Sequence, residues 1–186
     1  MIPIKNKKKT LEVTVEEMRN FAFNYIEKFA PSKQQLKTYL LKKYLKSKTP
    51  TNRSNISNLI DIVLEDLEKS KFINDKFYSE AKAKSLIHRG SSINKIRNYL
   101  IGKGVGDKYI KNTIDQIHDN NEDQDFFSAI KICKKKRIGP SRQEDNRPLF
   151  YKKDMGVLAR SGFDFEVSRR VMDLDKDEYI KIINLL

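Results

Sequence analysis

Little in this sequence could staple, stretch or embed the chain. One cysteine, Cys133, stands among 186 residues, so no intrachain disulfide framework forms and a reducing cytoplasm is the expected setting. Seven glycines and five prolines are too few for a collagen-like or Pro/Gly-rich disordered chain. No apolar run approaches the ~18 residues of a membrane span, and Met1–Thr10 (MIPIKNKKKT) lacks the apolar centre of a signal peptide. Hydrophobic residues make up 38% and charged residues 34%. That balance suits small packed units with much solvated surface better than one large interior.

Negative charge is also short, with 25 Asp and Glu against 38 Lys and Arg, a net +13. The excess is uneven: residues 32–90 carry net +7, residues 91–140 net +4, residues 1–31 net +2, and residues 141–186 are neutral. An excess of this kind attracts polyanions, of which nucleic acid is the commonest inside cells. The competing reading is a solvated, aggregation-resistant surface.

Helical periodicity runs throughout, and no stretch alternates convincingly between apolar and polar residues. Val15, Met18, Phe21, Ala22, Tyr25, Ile26 and Phe29 share one face, behind a capping box from Thr14 and Glu17. Pro31 breaks that helix, and Ser32 with Gln35 repeats the signature ahead of Leu36 and Leu40. Further on, Ile96, Tyr99 and Leu100 end in Lys103–Gly104–Val105, where a glycine takes the left-handed turn that closes a helix. Met155 and Leu158 likewise lead to Gly162–Phe163, with Asp164 placed to cap the next helix.

The expected fold is therefore all-α, and the spacing of these turns suggests a tandem repeat. Each unit has a short helix, a turn, a second helix and a longer helix, three helices closing a small core; such units stack into an elongated body. The expected divisions are a basic flexible arm over 1–13 and a first module over 14–90 with an insertion near 46–57. A second module over 91–140, a third over 141–175 and a tail over 176–186 complete the chain.

Catalytic constellations are missing. Gly102–Lys103–Gly104–Val105–Gly106 has neither the preceding strand nor the spacing of a phosphate loop. His88 and His118 have no cysteine or acidic cluster at ligand spacing, so no metal is expected. Cys133 lies on an apolar face with Ile130, as a buried small hydrophobe does. The acidic run Asp119–Asp125 lacks the calcium-loop pattern. No enzyme, no cofactor and no membrane partner are expected. The basic clusters carry more: Lys131, Lys134, Lys135 and Arg137 in KICKKKRIG, with Arg89, Lys95, Arg97 and Lys103 upstream, are the candidate contacts to phosphate or acidic protein. Base stacking is not expected, since most Phe and Tyr fall on core-facing positions.

Four stretches resemble the RecX family, regulators of the bacterial recombinase RecA. They are Ala22-x-x-Tyr25-Ile26-x-x-Phe29-x-x-Ser32-x-x-x-Leu36-x-x-x-Leu40; Phe72-Ile73-Asn74-Asp75-x-x-Tyr78-Ser79-x-x-x-Ala83; Arg89-Gly90 through Ile96, Leu100 and Lys103-Gly104-Val105; and Gly162-Phe163. Together they cover roughly residues 14–175. Lys71 stands where the family usually has glycine, and Ser79 where alanine is usual. The resemblance implies a chain of three-helix modules that binds along the groove of a RecA–single-stranded DNA filament, touching DNA directly or through RecA; a curved body and a monomer are expected. It also implies restraint of ATP hydrolysis and strand exchange in recombinational DNA repair and the SOS response. The alternative is a stand-alone helical DNA-binding regulator, with Asp107–Ile117 as its recognition helix. Against that, few residues on the stretch could read bases in pairs of hydrogen bonds.

Overall fold

The chain's computed structural model describes residues 10–47 and 52–186. Among the described residues, ten α-helices and two short 3-10 turns follow one another, and no strand occurs.

Local chemistry explains most helix starts. Thr14 accepts the Glu17 N–H and opens α1 (Val15–Phe29). Ser32 and Gln35 form the expected reciprocal capping box at α2 (Lys33–Leu45). Asn52 caps α3 (Arg53–Lys69), and Asn74 accepts the Phe77 N–H at the start of α4 (Asp75–His88). Next come α5 (Ile93–Gly102), α6 (Asp107–Asn120), α7 (Gln124–Lys136) and α8 (Arg147–Arg160). Asp164 accepts the Val167 N–H ahead of α9 (Phe165–Met172), and Asp175 the Glu178 N–H ahead of α10 (Lys176–Leu185). Each such side-chain oxygen satisfies an amide that the helix itself leaves open.

The chain divides into two compact units. The first runs to Tyr78 and takes in Lys103–Val105; the second holds the remainder. In the first, α1, α2 and α3 pack on one another around Met18, Ala22, Leu36, Leu40, Ile60 and Leu64. In the second, Phe126, Ala129, Ile130 and Cys133 of α7 meet Leu158 of α8, Val171 and Met172 of α9, and Tyr179 of α10. Burial at those spacings drives each helix onto its neighbours.

Three expectations change in detail. Residues 176–185, expected as part of a tail, form α10, with Tyr179 buried. The end of the polar stretch 46–57 is helical, since Arg53 begins α3; residues 48–51 lie outside the described residues, as do residues 1–9 of the basic arm. Several aromatics face solvent: Phe29, Phe72, Phe77 and Phe165 are exposed. Phe72 still packs edge-on against Phe23, so part of this exposed aromatic surface is structural.

Candidate cationic interface

Helix α7 divides its two faces by charge. Phe126, Ser128, Ala129, Ile130 and Cys133 are buried, with Phe127 and Ile132 partly buried against the same core. Lys134, Lys135, Lys136 and Arg137 are exposed, and Lys131 is half-buried. Lys131, Lys134 and Lys135 stand three and four residues apart and so share one side of the helix. Arg137 ends the helix in the left-handed region, its N–H donating to the carbonyls of Cys133 and Lys134. Cations at this end also oppose the negative pole of the helix dipole, a structural benefit of ~0.3–1 kcal/mol each at the surface.

Arg89 joins this group through the fold. It follows α4, and the next residue, Gly90, is buried against α7. A Cβ at Gly90 would lie 3.1 Å from the Lys131 Cβ and 3.1 Å from the Ser128 carbonyl oxygen. The backbone beside Arg89 therefore rests on the turn of α7 that carries Lys131.

The remaining candidates lie elsewhere. Lys95 and Arg97 are exposed on α5, whose inner face is Ile93, Ile96 and Leu100. Two residues apart on a helix, they point to different sides. Lys95 stands beside the turn at Gly162, with its Cβ 3.7 Å from where a Gly162 Cβ would be. Lys103 sits in the first unit, and its carbonyl accepts the Ser32 hydroxyl at 2.6 Å. Its recognisable part is backbone, which charge counting does not register.

Some cations outside this group are engaged in ion pairs. Arg19 meets Asp66, Lys33 meets Glu68, Lys37 meets Asp61, Arg142 meets Asp154, and Arg170 meets Asp123. Among the described residues, Arg89, Lys95, Arg97, Lys131, Lys134, Lys135 and Arg137 have no ion-pair partner. Lys136, exposed on the same helix end, belongs with them. Their charge is available to an external anion, as an unpaired surface cluster requires.

Other chemistry has less material. Burial, with the Asp154 charge, pushes the Cys133 thiol up to about 12, far from the thiolate a nucleophile needs. Among the described residues no three His, Cys, Asp or Glu side chains gather as a metal site. No described helix is long and apolar enough to cross a membrane.

The chain is similar to proteins named Regulatory protein RecX from several bacteria. It is 30% identical to the one from Myxococcus xanthus over 89% of each chain. With the one from Clostridioides difficile the identity is 24%, over 94% of this chain and 82% of that protein. The relative from Agrobacterium fabrum is 22% identical, over 89% of this chain and 87% of its own. No family model matches the chain. No solved structure matches it significantly.

Proposed function

This chain belongs to the RecX family of regulatory proteins, and from that premise we propose that it restrains the RecA recombinase by binding the RecA–single-stranded DNA filament. The observation that carries the reading to particular residues is the unpaired group of Arg89, Lys131, Lys134 and Lys135 where Gly90 rests on α7. A filament of recombinase on DNA offers phosphates and acidic side chains, and unpaired cations gain from either. Lys95, Arg97 and Arg137 contribute in the same way, while Lys103 serves mainly through its backbone.

The repeat belongs to this proposal. Taken as α2–α4, α5–α7 and α8–α10, the modules each carry in their first helix a leucine with no exposed surface, Leu40, Leu100 and Leu158. Helix α1 precedes the first. The protein acts as a monomer in the cytoplasm, sterically and electrostatically, with no catalytic step of its own.

The stand-alone DNA-binding regulator has less support. Helix α6 would have to enter a groove, yet Asp107, Asp115 and Asp119 are exposed along it and would meet phosphate repulsion. Cosedimentation with RecA filaments tests the reading. Binding to filaments but weakly to naked duplex is expected, and equal binding to both would favour the regulator.

A further inference from the structure

The starts of α2 and α5 are built alike, from parts far apart in the chain. Ser32 and Ser92 are both fully buried. Each hydroxyl oxygen accepts the amide three residues on, Gln35 and Lys95, both at 3.2 Å. Each hydroxyl also donates to a distant carbonyl: Ser32 to Lys103 at 2.6 Å across 71 residues, Ser92 to Ser161 at 3.0 Å across 69. The amide after each serine, Lys33 or Ile93, donates to a carboxylate at 2.8 Å, that of Asp75 or Asp125.

The turns that receive the hydroxyls match as well. After each accepting carbonyl comes a glycine with positive φ, +69° at Gly104 and +90° at Gly162. A Cβ on Gly104 would lie 2.4 Å from the Gln34 Cγ, and one on Gly162 would lie 2.5 Å from the Ser92 Oγ. Both turns are thus glycine for two reasons, backbone conformation and closeness to the serine-capped helix start. At α8 the pattern stops, for Asn146 makes no capping hydrogen bond through its side chain.

We infer that each set is a clasp that opens and closes as a unit, binding a helix start to a remote glycine turn through one buried serine hydroxyl. The hydroxyl has a single proton, and that proton goes to the turn while its lone pairs hold the helix amide. If the turn leaves, a buried hydroxyl and a carbonyl both lose their partner, which is costly away from water. The carboxylate fixes the adjacent amide, so the helix start cannot unwind without breaking the same group of bonds. In the second clasp the docked turn adjoins Lys95, so its closure also places one of the exposed cations. This inference does not rest on the RecA reading.

Native-state hydrogen exchange on the full chain tests it. In the unmodified protein the amides of Ile93, Lys95, Gly162 and Phe163 should share one opening free energy and one denaturant dependence. The Leu149 amide, at the uncapped start of α8, should exchange fast. Exchange of Ile93 and Lys95 uncoupled from Gly162 and Phe163 would overturn the clasp. Ser92→Ala should speed those four amides about tenfold and leave Ile60 and Leu64 of α3 unchanged. Acceleration spread evenly over both units, or confined to Lys95, would also count against it. Should that variant not fold, the wild-type coupling alone decides.

Discussion

The Phe72 amide donates back to the carbonyl of Leu67 at 2.9 Å, closing α3 with the residue before Phe72 in the left-handed region. That residue is Lys71, at φ +60°, and its own amide donates to Glu68. The bond pattern is the one that usually ends on glycine, and Lys71 is where the family resemblance leads one to expect glycine. Left-handed backbone costs a residue with a Cβ roughly 1 kcal/mol. Lys71→Gly should therefore stabilise the protein by up to ~1 kcal/mol, even after the unfolded chain gains freedom. Urea unfolding checks this, and a lower midpoint for the variant would contradict the assignment of strain.

Asp125 should tolerate loss of its charge but not of its oxygen. Burial raises its pKa, and the Ile93 N–H holds it down only in part. A raised carboxyl contributes stability below its unfolded pKa and loses it as pH rises through the folded value. At pH 7 the buried charge is thus a cost. Asp125→Asn keeps an acceptor for Ile93 and should match or exceed the parent at pH 7. Asp125→Ala orphans that amide and should cost ~1–3 kcal/mol. Equal damage from both variants would show that the charge itself is needed.

Asp154 has the opposite sign. It is buried, and burial alone would raise it, but Arg142 at 2.6 Å and the Gly139 N–H at 2.8 Å hold it below the usual carboxylate range. Its contribution is complete above the unfolded value of ~3.9 and is lost as pH falls through the lower folded value. Denaturant melts from pH 7 to pH 3 should show Asp154→Asn less stable at neutral pH by on the order of 2–4 kcal/mol. The gap should close toward pH 3, and a pH-independent gap would remove the carboxylate from the explanation.

The fold is readable where the signals are local, and unreadable where they are not. The caps at Thr14, Ser32, Asp164 and the turns at Gly104 and Gly162 each rest on residues within a few positions of one another, so side-chain chemistry and φ preference announce them. Helix α10 escapes such reading because Tyr179, Ile182 and Ile183 make only one short apolar step before Leu185 and Leu186, which resembles a frayed end. The Ser92–Ser161 and Arg142–Asp154 bonds depend on folding back over 69 and 12 residues, and no periodicity encodes them. At the cationic interface, composition finds the α7 lysines. Only packing shows that Arg89 joins them through Gly90 and that Lys103 acts through its carbonyl.

Charge reversal separates a contact surface from a merely solvated one. Lys134→Glu with Lys135→Glu should weaken filament binding strongly at ~0.01 M salt and less at ~0.1 M, because the screening length falls from about 30 Å to about 10 Å. Arg170→Glu is the control, since Arg170 is already engaged by Asp123 at 2.8 Å, and it should change binding less. Affinity and salt slope unchanged by the lysine pair would reduce this patch to a solvated helix face.

Action on a filament is read most directly from ATP hydrolysis by RecA on single-stranded DNA. The protein is titrated at substoichiometric ratios to RecA with the DNA concentration held fixed. Hydrolysis falling well before one protein per RecA is the expected result, because one bound molecule then affects several protomers. Hydrolysis unchanged even in excess would contradict restraint of the filament by this protein.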